Sequence, residues 1–145
     1  MPSLKSRLVA FVLRHTRKKA FASPEGLHAG IAKSRPVQDH RPPVKVAQRV
    51  SVTQRTVAGY PVYEVRPKGA QAARRILYLH GGAYCFELTS FHWMLIAEMA
   101  ERLGAHITVP VYPLAPEHDF HAIHTMTGQV WREVLGGGGP VIVMG

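Results

Sequence analysis

The sequence contains a single cysteine, Cys85, among its 145 residues. One cysteine cannot form a disulfide within the chain, and it excludes the cysteine clusters that hold structural zinc. We therefore expect a reducing compartment, for which the cytoplasm is the simplest choice. The sequence also lacks any apolar run close to the roughly 20 residues that a membrane-spanning helix needs.

Acidic residues are scarce in the first half of the chain. Residues 1–75 hold 16 Lys and Arg against three Asp and Glu, a balance of +13, whereas residues 76–145 hold two against six, a balance of −4. The densest basic stretch, LKSRLVAFVLRHTRKKAF, predicts an amphipathic helix with a basic surround. Its apolar face would carry Leu4, Leu8, Phe11 and Val12. We favour packing of this face on the protein itself, with a membrane surface or an acidic partner as the alternative.

The chain after this helix has no sustained hydrophobic period. Residues 24–48 mix prolines, charged residues and polar residues, which predicts a linker or an irregular arm. We therefore divide the chain into residues 1–48, a basic N-terminal helix and arm, and residues 49–145, a folded domain.

The folded domain begins with a predicted antiparallel hairpin. The stretch RVSVTQRTVAGYPVYEVRP contains two alternating, β-rich runs separated by Ala58 and Gly59. Residues 76–79 then form a continuous apolar run, which is typical of a strand buried on both faces of a parallel sheet.

Helices and strands alternate in the rest of the domain. Ser90 is the predicted N-cap of a helix that ends near Gly104, and the stretch HITVPVY predicts a strand after it. A second helix over about residues 120–135 and a strand VIVM follow. This alternation predicts an α/β fold, in which the hairpin is followed by parallel strands joined by crossover helices.

The segment LYLHGGAY lies where the first parallel strand ends and the next helix has not begun. The carboxyl end of such a strand is a common ligand-binding edge. Gly81 and Gly82 allow a bend that directs successive N–H groups into open space, and the small side chain of Ala83 leaves them accessible. Such amides can stabilise an oxyanion. By itself, however, a glycine pair after a strand fits an ordinary turn equally well.

A second segment, YPLAPEH at residues 112–118, follows the next strand. In this order and spacing, the two segments resemble the hormone-sensitive-lipase-like family of α/β-hydrolases, whose blocks read approximately HGGG and YRLAPEH. The resemblance covers residues 49–145, and the upstream basic helix would match the family's N-terminal cap. It implies an incomplete α/β-hydrolase fold, the N-terminal portion of a carboxylic-ester hydrolase that uses a small-molecule ester and no cofactor.

The resemblance also implies a role for each matching residue. Gly82 and Ala83 fall on the family's oxyanion-hole amides, Gly81 would shape the turn, and His80 falls on the histidine that orders the loop rather than on the catalytic base. A structural supporting role beneath the site falls to Tyr112, Pro116, Glu117 and His118. Residues 86–91 would contribute to the substrate pocket.

The sequence departs from the family pattern at several positions. Ala83 replaces the third glycine of HGGG, Val111 stands where an aspartate is common, and Pro113 replaces an arginine, so we expect a polar network to be lost there. No G-x-S-x-G motif occurs in the chain, and in this fold the acid and the histidine follow the serine in chain order. We therefore expect the triad to lie beyond Gly145 and these 145 residues alone to be inactive.

Two other functions fit the same residues. The chain could be a non-catalytic, small-molecule-binding relative of these hydrolases, which the presence or absence of a downstream serine would decide. It could also be a membrane-surface or interaction protein acting through residues 1–20. The sequence offers no metal-ligand spacing and no phosphate loop, and we expect no nucleic-acid partner.

Overall fold

The computed structural model describes residues 3–69 and 71–145, so Met1, Pro2 and Ala70 lie outside the described residues. The side chains of Leu13 and of residues 15–20 are also outside the description, and part of the predicted basic surface falls on them. The chain divides into two compact units, Met1–Val37 and Gln38–Gly145. The boundary that we place between residues 48 and 49 stays a prediction.

The first unit is helical. Helix α1 spans Leu4–Ala20, helix α2 spans Pro24–Ser34, and a 3-10 turn covers Arg35–Val37. The predicted irregular arm is therefore wrong for residues 24–37, and residues 44–48 are helical as well. A capped start explains the helix there, because Ser23 Oγ accepts a hydrogen bond from Gly26 N at 3.1 Å and proline suits a first helical turn. The predicted apolar positions of α1 are exposed: Leu4, Leu8, Phe11 and Val12.

The second unit holds a five-stranded sheet in the order β1-β2-β4-β3-β5. Its elements in chain order are α3 (Val44–Arg49), β1 (Val50–Val57), β2 (Tyr60–Pro67), β3 (Arg74–Tyr78), α4 (Ser90–Leu103), β4 (Ala105–Pro110), α5 (Phe120–Gly136) and β5 (Ile142–Met144). Strands β1, β2 and β4 pair antiparallel, whereas β3 is parallel to both β4 and β5. The predicted α/β fold, with a hairpin followed by parallel strands, is confirmed.

The hairpin and helix ends follow from local backbone chemistry. Ala58 and Gly59 both have positive φ, at 50° and 85°, as a two-residue hairpin turn requires. Gly104 ends α4 in the left-handed region at φ 57°, as predicted. The predicted N-cap of α4 is wrong by one residue. Thr89 occupies that position, and its backbone N–H donates to His92 Nδ1 at 3.0 Å.

Helices cover both faces of the sheet, and the two-residue period of the strands divides the core between them. On β3, Ile76 and Tyr78 pack with α4 residues such as the fully buried Trp93, whereas Leu77 packs on the α5 side with Val130. Full burial of an aliphatic or aromatic side chain is worth about 1.5–3 kcal/mol. Strand β3 is therefore held from both faces.

The glycine-rich segment after α5 is fixed by one arginine. The guanidinium of Arg75, on β3, donates to the backbone oxygens of Val134 and Gly138. These carbonyls lie at and just beyond the end of α5, where a helix leaves acceptors unpaired and favours positive charge. A Cβ on Gly137 would lie 2.6 Å from Arg75 Nη2, so glycine leaves room for this contact.

No helix in residues 3–69 and 71–145 is both long enough and apolar enough to cross a membrane.

A polar network joins three strands to α5. Glu64 accepts hydrogen bonds from His106 Nε2 at 2.6 Å, Thr108 Oγ1 at 2.9 Å and Arg55 Nε at 3.0 Å. Arg55 also reaches Glu133 on α5 at 2.6 Å. Burial opposes ionisation of Glu64, but these hydrogen bonds outweigh it and lower the pKa of its carboxyl group.

We predict that Glu64→Gln lowers the free energy of unfolding by about 1–3 kcal/mol near neutral pH, because the amide cannot replace the charge-assisted bonds. A lowered pKa means that this contribution is present above the carboxyl pKa of the unfolded chain and is lost as the pH falls through the folded value. Urea denaturation over a pH series measures both effects. Glu101→Gln is the control, since its ion pair with Arg49 is exposed. Equal effects of the two substitutions would contradict the prediction.

Candidate active site

The loop that follows β3 contains three successive residues in a backbone conformation that is rare for residues with side chains. Gly82, Ala83 and Tyr84 are successive residues with positive φ, at 138°, 54° and 58°. A Cβ on Gly82 would lie 2.5 Å from the backbone oxygen of Phe86, so this position requires glycine on steric grounds as well. Ala83 and Tyr84 adopt the left-handed region despite their side chains, which costs about 1–2 kcal/mol each. The surrounding contacts must offset this strain.

The first of these contacts fixes the peptide group between Gly82 and Ala83. The carbonyl oxygen of Gly82 accepts hydrogen bonds from the amides of Cys85 and Phe86, both at 3.0 Å. In a trans peptide, the carbonyl and the N–H group point in opposite directions. Holding the Gly82 carbonyl inside the turn therefore directs the Ala83 N–H away from the turn.

The preceding peptide group is fixed by the histidine of the motif. His80 Nδ1 lies 3.0 Å from the carbonyl oxygen of Gly81, to which it must donate because a carbonyl only accepts. The same planarity fixes the direction of the Gly82 N–H. Across the residues that the structure describes, the N–H groups of Gly82 and Ala83 have no hydrogen-bond acceptor. The N–H groups of Gly82 and Ala83 are therefore neighbouring donors with no acceptor among the described residues.

Two residues after β4 anchor the same loop. The hydroxyl group of Tyr112 donates to the carbonyl oxygen of His80, and the amide of Ala115 donates to the carbonyl oxygen of Tyr84 at 2.8 Å. The Tyr112 ring also stacks on the His80 imidazole, with centroids 4.3 Å apart and planes 4° apart. Burial raises the pKa of the Tyr112 hydroxyl, which therefore stays protonated as a donor.

His80 is a neutral, buried side chain. Only 3% of its surface is exposed, and burial lowers the pKa of the imidazole to about 4. Because Nδ1 carries the proton that bonds Gly81, Nε2 is unprotonated at neutral pH. That atom is buried and has no hydrogen-bond partner among the described residues. His80 therefore orders the loop and offers no exposed base.

An open pocket of about 880 Å³ lies beside the loop. The predicted site residues that line it are His80, Gly81, Gly82, Ala83, Tyr112 and His118. Pro116 and Glu117 are absent from its lining. His118 is also close to the hairpin, since its Nε2 lies 3.3 Å from the Tyr60 hydroxyl.

The apolar wall of this pocket differs from the expected one. Residues 86–91 do not line it, and Phe86 and Leu88 instead pack in the interior at 8% and 0% exposure. The wall is formed by Tyr84, Phe120 and Ile123. The motifs do not predict these three lining residues. No particular side chain is required at Tyr84, after the glycines, so the motif assigns it no role. Phe120 and Ile123 belong to the first turns of α5, and the position of that helix depends on the whole fold.

Within the described ranges, no group of three His, Cys, Asp or Glu side chains is placed to hold a metal ion. The polar groups that line the pocket are backbone amides, hydroxyl groups, imidazoles and the carboxylate of Asp119, which accepts a hydrogen bond from Ala122 N at the start of α5.

The buried, neutral state of His80 predicts a pH dependence of stability. Its pKa is 6.5 when solvated and about 4 in the fold, so the unfolded chain binds a proton more readily between these values. Stability should therefore fall as the pH drops from 6.5 to 4, by about 3 kcal/mol from this residue. His80→Phe should remove that part of the decline in urea denaturation, whereas the exposed His121→Phe should not. Identical pH slopes in both variants would rule out the buried neutral state.

The strain at Ala83 makes a second prediction. Ala83→Gly should raise the free energy of unfolding by up to about 1 kcal/mol, because glycine adopts φ 54° without the steric cost that alanine bears. The same substitution at the exposed Ala47 of helix α3 should lower it by about 0.5–1 kcal/mol. Denaturation curves of the two variants decide the matter, and a loss of stability at both positions would show that Ala83 is unstrained.

Comparison with known proteins agrees with this architecture. Residues 76–141 match the family model of the alpha/beta hydrolase fold. Over 91 residues the chain is 33% identical to LipR of Mycobacterium tuberculosis, described as an acetyl-hydrolase, an alignment that covers 63% of this chain and 28% of LipR.

Solved structures share the fold. A structure described as that of an esterase from Staphylococcus aureus has a TM-score of 0.73 at 21% identity, covering 85% of this chain and 43% of its own. EstE5, whose crystal was soaked with p-nitrophenyl butyrate, has a TM-score of 0.65 at 26% identity, covering 98% of this chain and 47% of its own. Residues 76–141 thus resemble the hormone-sensitive-lipase-like α/β-hydrolases, a family of carboxylic-ester hydrolases, and the chain spans less than half the length of each relative named here.

Proposed function

We propose that this chain supplies the oxyanion-stabilising part of a carboxylic-ester hydrolase whose catalytic serine, acid and histidine lie C-terminal to Gly145. The observation that carries the proposal is that the N–H groups of Gly82 and Ala83, which have no acceptor among the described residues, lie at the edge of an open pocket. Two preorganised backbone donors are what acyl transfer needs, because negative charge develops on the substrate oxygen only as the tetrahedral intermediate forms.

The course of β5 supports a nucleophile at this edge. Strand β5 runs parallel to β3, and the amide of Leu79 donates to the carbonyl oxygen of Met144 at 2.8 Å. Gly145 lines the same pocket as the loop. A Cβ on Gly145 would lie 2.9 Å from the Leu79 oxygen, so the position suits the first glycine of a G-x-S-x-G turn. A serine two residues further along would start beside the two amides.

The proposed reaction follows from these positions. The serine hydroxyl would attack the ester carbonyl carbon while the histidine takes its proton, and the histidine would return that proton to the departing alcohol. Water would then release the acid from the serine by the same steps. The N–H groups of Gly82 and Ala83 would donate to the oxyanion in both steps, each worth about 2.7–4 kcal/mol of transition-state stabilisation.

The pocket also bears on the substrate and the setting. Its apolar wall of Tyr84, Phe120 and Ile123 suits an apolar acyl or alcohol group, and Tyr84 and Phe120 are 62% and 67% exposed. A short-chain aryl ester such as the p-nitrophenyl butyrate used with EstE5 is therefore a suitable probe. The free, buried Cys85 suits a reducing compartment, and we propose the cytoplasm.

The first test reads the coding sequence downstream of the Gly145 codon and assays its complete product with p-nitrophenyl butyrate. We expect an in-frame serine turn and hydrolysis that a Ser→Ala change at that turn abolishes. A continuation without the serine, or a complete product that binds the ester without turnover, would favour the non-catalytic binder. Triad-type hydrolysis by these 145 residues alone would contradict the proposal that the catalytic serine, acid and histidine lie C-terminal to Gly145.

The role of the Ala83 amide can be tested without changing any side chain. Replacing the Gly82–Ala83 peptide bond by an ester, with lactate in place of Ala83, removes the N–H donor and keeps the backbone shape. In the complete product we predict that kcat falls by about 10²–10³-fold while KM changes little, because the bond forms only in the transition state. Steady-state kinetics measure the changes in kcat and KM separately. The same replacement at Ala72, which lies outside the pocket, is the control. An unchanged kcat would remove Ala83 from the oxyanion hole.

A further inference from the structure

A glutamine far from both sequence motifs contacts the candidate oxyanion loop. The side-chain oxygen of Gln38 accepts a hydrogen bond from the amide of Glu87 at 3.0 Å, across 49 residues of sequence. Gln38 is the first residue of the second unit and is half-buried. Glu87 directly follows the turn that begins at Gly82. The contact therefore joins the start of this unit to the far end of the loop.

The segment that carries Gln38 is itself fixed. The carbonyl oxygen of His40 accepts a hydrogen bond from the indole Nε1 of Trp93 at 2.9 Å, and His40 Nδ1 lies 3.0 Å from the Tyr63 hydroxyl. Trp93 is fully buried and Tyr63 is 2% exposed. Because two core residues hydrogen-bond to His40, the backbone two residues after Gln38 is fixed in position.

The hydrogen bond between Gln38 and Glu87 constrains the Ala83 N–H through two intervening peptide planes. The Glu87 N–H shares a plane with the carbonyl of Phe86, so the bond to Gln38 fixes the orientation of that peptide. The Phe86 N–H in turn donates to the carbonyl oxygen of Gly82, which shares a plane with the Ala83 N–H. Losing the bond to Gln38 would remove one constraint on the Phe86–Glu87 peptide and, through the Phe86 N–H, one constraint on the peptide that carries the Ala83 donor.

We propose that Gln38 is a positioning residue for the Ala83 N–H, acting through the Phe86–Glu87 peptide. Its role in catalysis rests on the proposed function, whereas its role in ordering the loop does not. The required feature is an acceptor oxygen at the end of a side chain of this length. Glutamate retains that oxygen, and methionine has a similar length and shape without it.

The ordering role is tested on these 145 residues by amide NMR. For Gln38→Met we expect hydrogen exchange of the Glu87 amide to accelerate on the order of fivefold and the order parameter of the Ala83 N–H to fall. Gln38→Glu should restore both values, and Gln48→Met, at an exposed position on α3, should change neither. Exchange that rises equally at every amide would indicate global destabilisation and overturn the proposal, as would an unchanged Ala83 N–H.

The catalytic role is tested on the complete product with p-nitrophenyl butyrate. We expect Gln38→Met to lower kcat on the order of fivefold with KM unchanged, and Gln38→Glu to restore it, since a mispositioned oxyanion donor affects only the transition state. A raised KM with unchanged kcat would overturn this role. If the complete product hydrolyses no ester, the proposed function fails, while the NMR result still decides whether Gln38 orders the loop.

Discussion

Burial of β3 on both faces is the constraint on which the candidate site depends. The strand lies between β4 and β5 in the sheet, with α4 on one face and α5 on the other. Because neighbouring strands and helices surround β3, the chain first becomes accessible to solvent beyond the carboxyl end of the strand, where it turns before α4 begins. His80 and the glycines stand at this turn, and β4 and β5 end at the same edge. The sheet therefore brings Tyr112 and Gly145 to the loop.

The loop itself stores strain that its carbonyl contacts hold in place. Two non-glycine residues in the left-handed region are unfavourable, and such conformations persist only where neighbouring structure fixes them. Here each carbonyl from His80 to Gly82 accepts a donor, as does that of Tyr84. Because the carbonyls of Gly81 and Gly82 face these donors, the N–H groups of Gly82 and Ala83 on the opposite sides of the same peptides point away, and they have no acceptor in the described part of the chain. This arrangement resembles an electrostatically preorganised site, in which donors need no reorganisation when charge develops.

Local signals in the sequence predicted the elements well and the long-range contacts poorly. The Ala58-Gly59 turn, the apolar run of β3 and the stop at Gly104 each depend on residues within a few positions, so pattern and turn chemistry were sufficient. The helix at residues 24–34 was missed because its cap outweighs a weak hydrophobic period. Gln38 could not be found, since its contact with Glu87 depends on tertiary packing and glutamine has no distinctive spacing.

The assignment of this loop as an oxyanion hole is tested most directly by a crystal structure of the complete coding product carrying a covalent phosphonate transition-state analogue on the predicted serine. We predict that the phosphoryl oxygen lies about 2.7–3.1 Å from the backbone nitrogens of both Gly82 and Ala83, as an oxyanion does in acyl transfer. An adduct whose oxygen points away from these amides, or a complete product that forms no adduct, would contradict the assignment of this loop as an oxyanion hole.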